Sequence, residues 1–124
     1  MERVRLFIIG FMLALLATNA VSAMTLEEAI ASKDPFVMMI YTKWSKYQEV
    51  YDNLKEMQVI YKQYNFVKVD MDSPDAANIF KEKRFIVSDM PMIIVAKNGG
   101  RINKAISNDC AKDLSCVSKV LKHF

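Results

Sequence analysis

Residues 36–71 read FVMMIYTKWSKYQEVYDNLKEMQVIYKQYNFVKVDM, and three hydrophobic periods follow one another within them. The first, Phe36-Val37-Met38-Met39-Ile40-Tyr41, is apolar without interruption, which suits a central strand buried on both faces. From Ser45 onward the apolar side chains fall at Tyr47, Val50, Tyr51, Leu54, Met57, Tyr61 and Tyr64. Spacings of three and four sustained over about five turns predict the longest helix of the chain. Phe66-Val67-Lys68-Val69-Asp70-Met71 then alternates with period two, the mark of a second strand.

Working outward, Thr25-Leu26-Glu27-Glu28 fits a capping box, in which the Thr25 hydroxyl and Glu28 carboxylate take up orphan amide donors at a helix start. That helix should run to about Ser32 and end before Asp34-Pro35, because proline disfavours helical geometry in the residue before it. Downstream, Ser73-Pro74-Asp75 combines a hydroxyl cap, a first-turn proline and an early acid, and predicts a helix to near Arg84. Met92–Ala96 and Arg101–Ala105 flank Asn98-Gly99-Gly100, residues that tolerate the positive φ of a hairpin turn, so these strands should pair antiparallel. A last helix from near Asn108 or Asp109 places Leu114, Val117, Val120 and Leu121 on one face. The order helix, strand, helix, strand, helix, strand, strand, helix predicts one α/β domain, a central mixed sheet with helices on both faces.

Composition agrees. The 124 residues are 52% hydrophobic and 25% charged, which is globular usage and excludes a disordered or collagen-like chain. Three glycines, three prolines and two cysteines are too few for a loop-rich disulfide scaffold. The net charge of +3 comes from charges mixed along the chain, so no nucleic-acid partner is indicated.

The first segment reads as an address. Arg3 and Arg5 precede an uncharged run from Leu6 to Ala17, and small residues follow up to Ala23. This is the anatomy of a signal peptide over residues 1–23, with cleavage after Ala23 and a domain over 24–124. The run spans about 18 Å as a helix, short of the roughly 20 residues that cross a bilayer. An exported protein, periplasmic or secreted, is therefore expected, with no stable membrane insertion once the leader is removed. Membrane anchoring by an uncleaved leader is the alternative.

The element order, with Tyr41-Thr42-Lys43-Trp44-Ser45-Lys46-Tyr47-Gln48 after the first strand and Met90-Pro91-Met92 before the hairpin, resembles the thioredoxin superfamily over nearly all of residues 24–124. The resemblance implies a thioredoxin-like fold with Trp44 before the redox motif, Pro91 as the cis-proline and Lys97-Asn98-Gly99 as the hairpin turn. It also implies a groove of Trp44, Ser45, Tyr47, Gln48, Met90 and Pro91 that takes an extended protein or peptide segment. Lys43 and Lys46 would make its rim basic, and the Met90 thioether would suit an adaptable apolar surface.

The departure from the family is as informative. Ser45 and Gln48 occupy both cysteine positions, and dithiol exchange needs a thiolate at the helix start and a resolving thiol three residues on. Met39 stands where the family keeps a buried acid, although Lys68 matches its buried lysine. The only histidine, His123, has no evident route to Ser45 as a general base, which argues against serine hydrolysis.

Cys110 and Cys116 are the sole redox-capable pair. In one continuous helix their α-carbons would lie about 9 Å apart along the axis, beyond the roughly 7 Å limit for a bridge. A disulfide between them requires Cys110 to sit in the preceding loop and fold back. A structural staple, unpaired or intermolecular thiols and a relocated redox site are the three readings. The methionines at 38, 39, 57 and 71 fall on core patterns, so copper(I) ligation is disfavoured, and Asp70, Asp72 and Asp75 lack the glycine and late glutamate of a calcium loop. Tyr47 is placed at the groove rim, and the other helix tyrosines are expected half-buried with their hydroxyls in water. No cofactor or metal is expected. The leading expectation is an exported thioredoxin-like binding module without dithiol chemistry at residues 45 and 48. The rivals are a thiol-disulfide oxidoreductase using Cys110 and Cys116, and a structural subunit of an envelope assembly.

Overall fold

The computed structural model describes residue 21, residues 24–83 and residues 85–124. Apart from Val21, the expected leader lies outside the described residues. Val21 is buried, and its N–H donates to the Tyr51 hydroxyl at 3.2 Å. No helix among the described residues is long and apolar enough to cross a membrane.

The elements are α1 Leu26–Ala31, β1 Phe36–Tyr41, α2 Gln48–Ile60, β2 Asn65–Asp70, α3 Pro74–Lys83, β3 Met92–Lys97, β4 Ile102–Ile106, α4 Asn108–Ala111 and α5 Leu114–His123. The capping box of α1 forms: the Thr25 hydroxyl accepts from Glu28 N–H at 3.1 Å, and the Glu28 carboxylate accepts from Thr25 N–H at 3.2 Å. The sheet has the order β2-β1-β3-β4. β1 and β2 run parallel, as their connection through α2 requires, and the other pairs are antiparallel.

The uninterrupted apolar run of β1 divides by parity. Val37 and Met39, with Ile93 and Val95 of β3, meet Val50, Leu54 and Met57 of α2 and Val117 and Leu121 of α5. Phe36, Met38 and Ile40 face the other way, against Leu26 and Ala29 of α1 and Ala76 and Phe80 of α3. All five of these β1 side chains are fully buried, as expected of a strand covered on both faces. The β3–β4 turn uses positive φ at Asn98, Gly99 and Gly100, and a Cβ on Gly100 would stand 3.0 Å from the Phe85 ring.

Two elements differ from the sequence reading. α2 begins at Gln48 rather than Ser45 and ends at Ile60, although the periodicity continues to Tyr64. Tyr61 and Tyr64 keep the spacing because they pack on the same core, but neither hydroxyl reaches out to water. The Tyr61 hydroxyl bonds the Ser118 hydroxyl, and that of Tyr64 donates to Leu121 O at 2.8 Å, so both tyrosines tie the loop after α2 to α5. The expected last helix is split in two. Asp113 accepts from the N–H groups of Ser115 and Cys116 and so caps a fresh helix start, after the single turn of α4 capped by Ser107.

Candidate functional site

The site is assembled at one end of the sheet. β1 and β3 are antiparallel with Ile40 opposite Met92, so the chain leaving β1 at Thr42 and the chain entering β3 at Pro91 arrive side by side. β4 ends at the same edge, with Ile106 opposite Ile93, and delivers Ser107 to Cys110 there. The Asn108 amide donates to Pro91 O at 2.7 Å, fastening α4 to this loop. The Met90–Pro91 peptide is cis, as the resemblance implies.

Residues 42–47 form a tight turn built on its own backbone. Ser45 Oγ donates to Thr42 O at 2.7 Å and accepts from Thr42 N–H at 3.2 Å, while Ser45 N–H also donates to Thr42 O. Both hydrogen-bonding roles of the hydroxyl are committed to holding the turn. The Gln48 amide, one helix turn from Asp52, donates to its carboxylate at 2.9 Å. That bond, followed by the contact with Lys55 at 3.2 Å, holds the Asp52 carboxyl below its ordinary value. Neither Ser45 nor Gln48 presents a thiol, and both side chains are engaged in local hydrogen bonds.

Beneath the turn, Tyr47 is half-buried with its ring 4.7 Å from that of Tyr41, packed against the α2 side of the core. Burial is the largest influence raising the Tyr41 hydroxyl above its usual value, followed by Asp70 and the neighbouring Tyr47 and Tyr51. Lys55 and Lys68 both lie over the Tyr51 ring, at 5.3 and 5.7 Å from its centroid. Lys68 is exposed, not buried, and Met39 is fully buried among apolar side chains. Thr42 is 2% exposed and its Oγ1 has no hydrogen-bond partner in the structure.

One large apolar side chain stands out of these loops: Trp44 is 77% exposed. Ile86, 78% exposed, follows Phe85, whose ring lies against Gly100 at the other end of the sheet. Met90 beside the cis bond is partly buried against the α3 side of the core, and Pro91 is buried.

Cys110 and Cys116 form a disulfide with α-carbons 5.3 Å apart. The split between α4 and α5 makes this possible, since it replaces the axial rise of a continuous helix with a fold-back. The sequence reading required such a fold-back but did not locate its cause, the Asp113 cap. Asn108 and Asn53, whose amide donates to Ala111 O at 3.0 Å, also anchor α4 and carry no distinctive sequence signal. No group of three or more histidine, cysteine or acidic side chains that could hold a metal occurs among the described residues.

Solved structures similar to this chain include thioredoxin O2 of Arabidopsis thaliana in its oxidised state, 21% identical over 80% of this chain and 82% of that one, with a TM-score of 0.61. The chain has the thioredoxin fold. The oxidised form of mitochondrial thioredoxin 3 of Saccharomyces cerevisiae matches at 23% identity and a TM-score of 0.58, over 79% of this chain and 86% of that one. A chain from the complex of ferredoxin:thioredoxin reductase with thioredoxin f2 matches at 18% identity and a TM-score of 0.63, over 84% and 96% of the two chains. No protein-family model and no curated protein sequence matches the chain. In this chain the Thr42–Tyr47 turn lies beside the cis-Pro91 loop, and the cysteines form the Cys110–Cys116 disulfide between α4 and α5.

Proposed function

We propose that this thioredoxin-fold domain is an exported binding module that recognises an extended protein segment across Trp44, Ser45, Tyr47, Gln48, Met90 and Pro91 without thiol chemistry at residues 45 and 48. The observation that carries the reading is the pairing of a Ser45 hydroxyl committed to the Thr42 backbone with a Trp44 side chain left 77% exposed beside it. A turn stabilised internally keeps its shape without a ligand, and an exposed tryptophan in such a turn supplies a large apolar anchor of the kind that dominates protein interfaces. Solvated Lys43 and Lys46 at the rim would favour a partner with acidic residues flanking its apolar anchor.

The test is photo-crosslinking from benzoylphenylalanine at position 44, compared with the same residue at position 59, where Val59 is 65% exposed on α2. A discrete adduct from 44 that is absent from 59 supports the reading. The same adducts from both positions, or none from 44, would sink it.

A second reading keeps redox chemistry, relocated to the last helix. The Cys110–Cys116 disulfide lies on the segment that Asn108 fastens to Pro91 O, so its opening would be felt by the cis-proline loop. A reversible intramolecular couple within the roughly −120 to −270 mV range of oxidoreductases, read by thiol labelling and intact mass, would favour this reading. A couple below about −300 mV would mark a staple.

A further inference from the structure

At the opposite end of the sheet, near the β3–β4 turn, a groove of about 480 Å³ opens between β4 and the C-terminal half of α5. Its floor is Ile102, Val120 and Phe124, and its walls carry Lys97, Lys104, Lys119 and His123 without any carboxylate side chain. Strand alternation explains the mixture. Ile106 is in the α2/α5 core, so Lys104 and Ile102, two and four residues earlier, face the same side beyond the point where α5 covers the sheet.

Lys97 is already engaged, donating to Phe124 O at 2.9 Å with its ammonium 4.9 Å from the ring centroid. Lys104 and Lys119 have no ion-pair partner among the described residues. β4 is also the last strand of the sheet, and residues 102–105 are all exposed, so its outer backbone groups have no partner strand among the described residues. Unpaired cations, an apolar floor and an open backbone edge thus occur at one place.

We propose that this groove takes an extended acidic peptide segment, added as a strand to β4, with carboxylates on Lys104 and Lys119 and an apolar side chain over Ile102, Val120 and Phe124. The open edge favours a peptide over an anionic lipid, because only a peptide can satisfy the backbone donors and acceptors of β4 while also neutralising the lysines. The alternation of a strand supplies the required chemistry, since residues two apart reach the same side and can offer a carboxylate and an apolar group in turn. This surface is remote from Trp44 and can operate whichever function holds there.

The test is fluorescence anisotropy with a fluorescein-labelled peptide of repeating Glu-Ser-Val-Ser, which puts Glu and Val in turn on one side of the strand, titrated with the full domain. Saturable binding is expected, weakening about tenfold from low to high salt. Lys104→Glu and Lys119→Glu should each weaken it about fivefold, while Lys81→Glu, on the other face of the sheet, should not. The lysines at 104 and 119 are exposed, so circular dichroism should show both variants folded. A peptide N-methylated at alternate residues should fail to bind. Equal binding of the N-methylated peptide, or of one with Gln in place of Glu, would overturn the proposal, as would binding of dodecanoate but not the peptide.

Discussion

Replacing both cysteines by serine, C110S/C116S, separates a staple from a catalyst. The bridge spans a sequence separation of six, and closing so short a loop in the unfolded chain contributes about 2 kcal/mol on the chain-entropy account. In a domain of this size such a loss lowers the melting temperature by about 10 °C. The native segment keeps other anchors: Asn108 to Pro91 O, Asn53 to Ala111 O, and the caps at Ser107 and Asp113. These hold α4 in place once the bridge is gone, so the native fold should survive. Urea unfolding of wild type and double variant at equal temperature measures the difference directly, with equal slopes showing that both unfold from the same native state. A loss under about 0.5 kcal/mol would refute the entropy argument and mean that the unfolded chain is not restrained by this bridge.

Other predictions follow from the turn and the tyrosines. Thr42→Val removes a buried hydroxyl that lacks a partner while keeping the branched shape, and should raise stability by about 1 kcal/mol in the same urea assay. Burial raises both Tyr41 and Tyr64, so the folded state holds these protons more tightly than the unfolded chain does. That stability is fully present below the ordinary tyrosine value of about 10 and is lost as pH rises through the raised folded values; urea midpoints should fall above that pH, and Tyr41→Phe/Tyr64→Phe should flatten the fall. Ser45→Cys/Gln48→Cys restores two thiols at the usual spacing, yet with Met39 buried in an apolar core and Lys68 out in solvent it should not gain thioredoxin-like insulin reduction. Turnover at the rate of an active thioredoxin would contradict that assignment.

The apolar run 36–41, the period-two stretch 66–71 and the Asn98-Gly99-Gly100 turn made the sheet legible, because burial on both faces and positive φ each leave a direct mark on residue choice. The helix ends were less so. Periodicity from Ser45 to Tyr64 reports which side chains share a core, and Tyr61 and Tyr64 share it from a loop, through hydroxyls that reach α5. The break at Asp113 was hidden because Leu114, Val117 and Leu121 keep helical spacing on its far side, and only a single capping carboxylate divides α5 from α4. At the site, the absence of thiols at 45 and 48 could be read from residue identity, and the cis-proline was implied by the family resemblance. The role of Ser45 could not, since its partners are the backbone atoms of Thr42, which no side-chain pattern reveals.

The central claim, recognition without a working dithiol, is tested most directly by quantifying the crosslinked adduct from position 44 in the C110S/C116S background. The account predicts the same adduct in the same yield as in the cysteine-containing protein, at a temperature where both are folded. Disappearance of the adduct when the cysteines are removed would contradict it and place the chemistry on Cys110 and Cys116.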